Sequence, residues 1–257
     1  MRRLFWPLFL IAVAVALALV MWSGRAEKMS YREMACVFEE RGLGCIDSIE
    51  EWNRGLAYFD SSVMATQDTL CALKNLLWNF WNIDFAGAGD AAVQRESILP
   101  LQVLALKKSG CIGLAWLAMM VAEARNLPLE TILLPGHVFL RYEGVNLEPN
   151  RRGFSYTDEE YRKKYKDGPW IGLELEPLTS SQFMGLAAFN MGNLYLESEP
   201  RRALTWYRMA EEFFPDYPGI EANQNVAKAK LPDALSSLER QKIKMKKAIF
   251  PVYWVRL

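Results

Sequence analysis

The first part of the chain has a helical hydrophobic pattern. Apolar side chains recur every three or four residues over residues 34–38 and again over residues 70–80. That spacing places them on one face of a helix. The pattern therefore predicts that residues 30–81 are largely helical. We expect a break at Gly42-Leu43-Gly44, because glycine interrupts helices.

The middle of the chain changes its periodicity. Residues 100–108 predict a short helix. Apolar residues from 112 to 126 predict a second helix that is buried on most faces, which Leu127-Pro128 ends. Short runs rich in β-branched and aromatic residues then predict strands at residues 131–134, 137–142 and 145–147, and residues 174–178 are a candidate for one more strand. Consecutive strands after a helical region predict an α+β fold with a small antiparallel sheet.

Helical spacing returns from Ser180 to the end of the chain. Small and aromatic residues there, such as Gly192 and Tyr207, fall close to the spacing of a tetratricopeptide unit. Only one unit is complete, and a second degenerates by Leu231. Because such units bury their faces against neighbours, we expect this TPR-like extension to pack on the α+β core.

The N-terminus carries a membrane signal. Arg2 and Arg3 precede residues 4–22, which contain no charge. At about 1.5 Å per residue, this run would form a helix of roughly 28 Å, close to the hydrocarbon thickness of a bilayer. We predict an uncleaved transmembrane signal anchor, with a cleaved secretory signal as the alternative. The arginines favour a cytoplasmic N-terminus and a body outside the cytoplasm.

Charge and cysteine content narrow the range of functions. The chain has 30 Lys+Arg and 30 Asp+Glu, and no basic cluster interleaves with aromatic residues, so no nucleic-acid partner is predicted. With one histidine and no Cys-x-x-Cys pair, a zinc site is not expected. No nucleotide or flavin motif occurs, and no cofactor is predicted. Cys36 and Cys45 can bridge in an oxidising compartment, or they stay free.

One place in the chain combines residues that suit covalent catalysis. Cys111 opens the predicted buried helix, in Ser109-Gly110-Cys111-Ile112-Gly113, and the chain's only histidine, His137, lies on a predicted strand. A helix N-terminus and a nearby imidazolium both favour the nucleophilic thiolate. We expect Gly110 to allow a sharp turn into the helix and Gly113 to leave open space on its first turn.

A base also needs a third group that orients it. Glu148 follows the last predicted strand and can lie beside His137, while Asn146 has the same parity and Asn150 is a weaker candidate. Each residue also fits an ordinary role when viewed alone: a buried cysteine, a core histidine and a surface carboxylate. Their order along the chain, on helix, strand and next strand, favours the catalytic interpretation.

Residues 99–148 resemble the transglutaminase-like superfamily, which is related to papain-type cysteine hydrolases. The matching segments are Leu101-Gln102-Val103-Leu104, Gly110-Cys111-Ile112-Gly113, Leu134-Pro135-Gly136-His137-Val138-Phe139-Leu140-Arg141 and Asn146-Leu147-Glu148-Pro149. The cysteine and histidine segments are the more specific ones. One bacterial branch of the superfamily flanks this core with helices and follows it with tetratricopeptide-like helices, as here. The resemblance therefore implies a papain-type α+β core in a protein of the bacterial envelope.

The resemblance also implies a role for each site residue. Cys111 would be the nucleophile, His137 the general base and acid, and Glu148 the orienting group, although members more often carry aspartate there. Gln102 is a candidate oxyanion donor, since glutamine serves that role in papain-type enzymes, and the first-turn N–H groups of the Cys111 helix are others. Asn146 stays an alternative orienting group.

These observations give a domain scheme and two functional hypotheses. The expected parts are residues 1–27 (anchor), 28–98 (helical), 99–179 (transglutaminase-like core) and 180–257 (TPR-like extension). The first hypothesis is a membrane-anchored cysteine hydrolase or acyl transferase that acts on an amide or ester bond, with a protein or peptide substrate. The second is a catalytically weak or inactive scaffold whose extension binds partner proteins at the membrane.

Overall fold

The computed structural model describes residues 30–87 and 89–231. The predicted anchor at residues 4–22 and the tail after Leu231 lie outside these residues. Within the two described ranges, no helix combines the length and the apolar character that crossing a bilayer requires.

The N-terminal part is built from three helices, two of which begin at polar capping residues. Helix α1 is Tyr31–Phe38, α2 is Glu50–Thr66, and α3 is Thr69–Asn75, which continues as a π-helical turn, Leu76–Phe80. Ser30 caps α1 together with Glu33, and Asp68 caps α3. Such side-chain oxygens satisfy first-turn N–H groups that have no partner within the helix.

The four cysteines divide into a disulfide and two free thiols. Cys36, at the buried end of α1, is bonded to Cys45, and their Cα atoms are 5.8 Å apart. Cys71 is free and partly buried, and Cys111 is free and buried. Of the two possibilities that the sequence left open, the bridge is therefore the one that forms.

The central part contains the predicted helix and the predicted sheet. Short helices α4 (Arg95–Ile98) and α5 (Pro100–Leu106) lead into α6 (Cys111–Arg125), which is buried over most of its length. Strands β3 (Leu129–Leu134), β4 (His137–Tyr142) and β5 (Val145–Leu147) then form an antiparallel sheet in that order. The expectation of helices with a small antiparallel sheet is confirmed.

Two details of the sheet region differ from the sequence expectation. The helix expected through Lys108 ends at Leu106, because Lys108–Ser109 (β2) pairs in parallel with Asp84–Phe85 (β1). A two-residue pair has no periodicity for a sequence pattern to reveal. Residues 174–178, expected as a strand, run beside β3 but make only an isolated bridge between Pro177 and Ile132.

The C-terminal extension packs on the core. Helices α8 (Ser180–Tyr195), α9 (Pro200–Phe213) and α10 (Pro218–Ala229) follow a short α7 (Asp158–Lys164). Gly192 of α8 lies against the Tyr207 ring of α9, where a Cβ would come within 2.3 Å of a ring carbon. Phe183, Leu186 and Phe189 of α8 belong to the same hydrophobic cluster as α6. The relation of these helices to tetratricopeptide repeats stays a prediction.

Close packing of α4 on α6 gives the first stability test. Contrary to the expectation of open space, a Cβ on Gly113 would lie 2.2 Å from the Ser97 carbonyl oxygen and 2.8 Å from Val103 Cγ2. Alanine normally stabilises a helix over glycine by up to about 1 kcal/mol. At Gly113 the clash reverses the sign, and we expect Gly113→Ala to lower the free energy of unfolding by about 1–3 kcal/mol.

Urea unfolding of the full-length chain, followed by tryptophan fluorescence, measures this difference. The matched control is Gly42→Ala, because nothing lies within 4 Å of a Cβ at Gly42. That control should change the free energy of unfolding by less than about 0.5 kcal/mol. Equal effects of the two substitutions would contradict the proposed packing.

Candidate active site

Cys111 is the first residue of α6 and lies at the base of a narrow pocket. Gly110 before it has φ −85° and ψ 179°, an extended conformation open to any residue. The expected role in a sharp turn is therefore wrong. Glycine is needed because a Cβ would lie 2.2 Å from the Ala92 carbonyl oxygen. No side chain caps α6, and N–H groups in a helix's first turn lack partners within the helix.

His137 begins β4, immediately after the turn that joins it to β3. Pro135 and Gly136 form this two-residue turn, Gly136 has φ +67°, and Leu134 pairs with His137 across it. Proline followed by glycine in the left-handed region suits a tight turn. The His137 side chain therefore projects from a rigid hairpin end, and it is only 3 % exposed.

Glu148 contacts the histidine ring with both carboxylate oxygens. His137 Nε2 lies 3.0 Å from Oε1 and 3.0 Å from Oε2. Pairing of Leu140 with Leu147 sets the register that brings Glu148, at the end of β5, back beside the first residue of β4. The structure thus brings the expected orienting carboxylate to His137.

Two further hydrogen bonds fix the Glu148 carboxylate. The backbone N–H of Asn150 donates to Oε1 at 3.1 Å, and the Tyr161 hydroxyl donates to Oε2 at 3.1 Å. Burial alone would raise the pKa of Glu148, but the hydrogen bond and charge of His137, with these two donors, lower that pKa below its ordinary value. The carboxylate is therefore ionised inside the protein.

His137 carries a positive charge between Glu148 and Cys111. Burial alone would lower the pKa of His137, but the negative charge of Cys111 and the contacts with Glu148 outweigh burial and raise the pKa from 6.5 to about 10. Among the described residues, Nδ1 has no partner in hydrogen-bond geometry. The coupling to Cys111 is chiefly electrostatic, since the charge of Cys111 raises the pKa of His137 more than the side-chain hydrogen bond between the two residues does.

Tyr161 of α7 and Tyr165, the residue that ends this helix, complete the surroundings of the ring. Tyr165 lies parallel to His137, with an interplanar angle of 4° and centroids 5.9 Å apart, and Tyr161 stacks on Phe139 at 4.3 Å. Burial, followed by the charge of Glu148, raises the pKa of both tyrosines, so their hydroxyls stay protonated. Neither tyrosine was expected at the site, although their i,i+4 spacing places both on one helix face.

Two other residues considered from the sequence lie in different environments. The Gln102 side-chain amide donates to Glu39 Oε2 at 3.0 Å, and Gln102 is not part of the Cys111 pocket. Asn146 accepts from Arg141 Nε at 2.8 Å and donates to Asp158 and to the Tyr156 carbonyl oxygen. Of the residues considered for an orienting contact, Glu148 is therefore the one that reaches His137, and neither Gln102 nor Asn146 lines the pocket.

A pocket of about 30 Å³ opens beside Cys111 and His137. Apart from these two residues its lining is mostly apolar, and α8 contributes Leu186, Phe189 and Asn190. In the part of the chain that the structure describes, no group of three or more His, Cys, Asp or Glu side chains is arranged to hold a metal ion.

The hydrogen bond from Tyr161 to Glu148 gives a second test. Tyr161→Phe removes one donor from a buried, ionised carboxylate, and we expect the free energy of unfolding to fall by about 1–2 kcal/mol at neutral pH. Tyr195→Phe in α8, whose ring packs against Arg202, serves as the control and should have a smaller effect. Denaturant unfolding of both variants checks this, and an unchanged Tyr161→Phe stability would contradict the assigned contact.

Comparison with known proteins identifies the family. A family model described as the transglutaminase-like superfamily matches residues 46–183, more than half of the chain. No curated protein and no solved structure matches the chain. The family match and the mixture of helices with a small sheet agree on a cysteine-protease-like fold. The chain belongs to the transglutaminase-like superfamily.

Proposed function

We propose that this protein is a cysteine hydrolase or acyl transferase that cleaves an amide or ester bond through a thioester on Cys111. One arrangement carries the proposal: both Glu148 oxygens lie 3.0 Å from His137 Nε2, and His137 lines the same pocket as Cys111, whose charge acts on the ring. A thiolate is the attacking form of cysteine, and an adjacent imidazolium stabilises it.

The first half of the reaction forms the thioester. The Cys111 sulfur attacks the carbonyl carbon, and a carbon–sulfur bond forms while the carbonyl oxygen gains negative charge. First-turn N–H groups of α6 stabilise that oxyanion. His137 then donates its proton to the departing nitrogen or oxygen, the carbon–nitrogen or carbon–oxygen bond breaks, and the leaving group departs neutral.

The second half releases the acyl group. Neutral His137 accepts a proton from a water molecule or an amine, which attacks the thioester carbonyl. The carbon–sulfur bond breaks, the sulfur leaves as a thiolate, and His137 is again an imidazolium. Glu148 stays ionised throughout, where it stabilises the imidazolium and fixes the orientation of the ring.

Glutamate suits the orienting role in this chain, although the resemblance leads one to expect aspartate. Glu148 lies where β5 gives way to the 3-10 turn Pro149–Arg151, and its carboxylate also accepts the N–H of Asn150 in that turn. The longer side chain reaches His137 with both oxygens while it caps the turn. The substitution therefore supports rather than weakens the proposed role.

We also propose that the catalytic body is held outside the cytoplasm by the N-terminal anchor and acts there on a protein or peptide. The Cys36–Cys45 disulfide supports this location, because disulfides persist mainly in oxidising compartments. The alternative, an inactive scaffold, is less well supported, because a buried and ionised carboxylate–imidazole pair is costly to maintain without a use.

Reactivity of the two free thiols tests the proposed function directly. Cys111 is 7 % exposed and Cys71 is partly exposed, so ordinary thiols would react faster at Cys71. An ion-paired Cys111 should instead react with iodoacetamide at least about tenfold faster than Cys71 at pH values near 6, because only the thiolate attacks. Mass spectrometry of the alkylated peptides from the full-length chain measures both rates in one sample.

His137→Gln should remove the faster alkylation of Cys111 relative to Cys71 and leave the alkylation rate at Cys71 unchanged. Glu148→Gln should reduce the advantage, because a carboxylate that raises the pKa of His137 is lost. If Cys111 reacts more slowly than Cys71 at every pH, or if His137→Gln slows both thiols equally, the proposed nucleophile is wrong.

A further inference from the structure

The pocket beside Cys111 has walls from two parts of the chain. The core contributes Ala92, Ile98, Ile112, Leu133 and Val138, and the C-terminal extension contributes Leu186, Phe189 and Asn190, with Tyr217. Phe189 is 1 % exposed and packs edge-on against Tyr217, with centroids 5.2 Å apart. The extension is therefore part of the site, and it faces the same space as the proposed nucleophile.

The lining has almost no polarity away from the reacting groups. Among the described residues that line the pocket, none is Asp, Glu, Lys or Arg. The Asn190 amide already donates to the Leu186 carbonyl oxygen at 2.8 Å. A charged group placed in this space, away from His137 and the α6 N-terminus, would lose its hydration without gaining a charged partner, which is strongly unfavourable.

The dimensions of the pocket limit what it can hold. Its volume is about 30 Å³, whereas an engineered cavity that binds benzene has a volume of roughly 150 Å³. The lining residues that keep partial exposure are Val93, Gly136 and Tyr217, so the mouth lies between them. A slim group can enter there, and an aromatic or branched one clashes with the walls.

We propose that this pocket binds the acyl side of the substrate, and that it selects short, unbranched, uncharged aliphatic groups next to the scissile carbonyl. Phe189 of α8 and Val93 at the mouth set the permitted length. This inference rests on the proposed function of Cys111, and it assigns the C-terminal extension a part in substrate selection.

Activated esters test the selection without knowledge of the natural substrate. The Cys111 thiolate attacks the carbonyl carbon of a p-nitrophenyl ester, the carbon–sulfur bond forms, and p-nitrophenolate leaves with the electron pair of the broken carbon–oxygen bond. The acyl groups are acetyl, butyryl, octanoyl, benzoyl and succinyl. Mass spectrometry of the Cys111 and Cys71 peptides from the full-length chain gives site-resolved rates, which are divided by the rate of each ester with free N-acetylcysteine.

The expected result is a clear preference at Cys111 alone. Normalised acylation by acetyl and butyryl esters should exceed that by octanoyl, benzoyl and succinyl esters by about tenfold or more, a discrimination typical of one mis-sized group in a tight pocket. Cys71 should show no such order. Val93→Ala and Phe189→Leu enlarge the pocket and should raise the octanoyl-to-acetyl ratio at Cys111.

Matched controls remove the same atoms elsewhere. Val37→Ala changes an exposed valine of α1, and Phe213→Leu changes a partly buried phenylalanine of α9 outside the pocket. Both should leave the ester preference unchanged. Because Phe189 is in the core, the mouth variant Val93→Ala keeps the test valid if Phe189→Leu fails to fold.

The outcomes separate the pocket from the nucleophile. If Cys111 reacts rapidly with all five esters alike, or if the two enlarging variants leave the octanoyl-to-acetyl ratio unchanged, the pocket assignment is overturned and the proposed nucleophile stands. If no ester acylates Cys111 faster than Cys71 and iodoacetamide also shows no advantage for Cys111, both the proposed function and this inference fail.

Discussion

The contact between His137 Nε2 and the Glu148 carboxylate is the interaction on which the rest of this site depends. Both side chains are almost completely buried, and an uncompensated buried charge costs several kcal/mol. Each charge is therefore tolerable only because the other is present, with Tyr161 and Asn150 as further donors to the carboxylate. In the proposed function, the positive ring would in turn stabilise a thiolate at Cys111. Loss of the carboxylate is therefore expected to affect the sulfur through the ring.

A tight turn and the pairing of two strands hold His137 and Glu148 in contact. A tight turn places His137 at the first position of β4, and the pairing of β4 with β5 returns Glu148 to the same end of the sheet. The α6 N-terminus is held against α4 and the turn before it, since the carbonyl oxygens of Ala92 and Ser97 occupy the places of side chains at Gly110 and Gly113. Cys111 and His137 are therefore positioned by different elements of the same core, a helix and a strand.

Much of the fold and of the candidate site could be predicted from the sequence. The features that could not be predicted have physical causes. The strands at 137–142 and 145–147 follow from alternation and turn residues, and their parity points to Glu148. Gln102 and Asn146 satisfied the same one-dimensional criteria, but Glu39 and Arg141 bind them in three dimensions. Tyr161 and Tyr165 lie among charged residues, and a helix of that composition is predicted to lie on the protein surface. The wall that α8 gives to the pocket depends on tertiary packing, which periodicity alone does not specify.

Because the chain has a single histidine, the charge of that ring can be measured without ambiguity. Long-range ¹H–¹⁵N NMR correlation of the full-length protein labelled with ¹⁵N-histidine reports the protonation of both ring nitrogens across a pH titration. The account predicts an imidazolium at neutral pH that titrates well above the ordinary 6.5, with a midpoint that falls in Cys111→Ser and in Glu148→Gln. A ring that is neutral at pH 7 and titrates at or below 6.5 would contradict it.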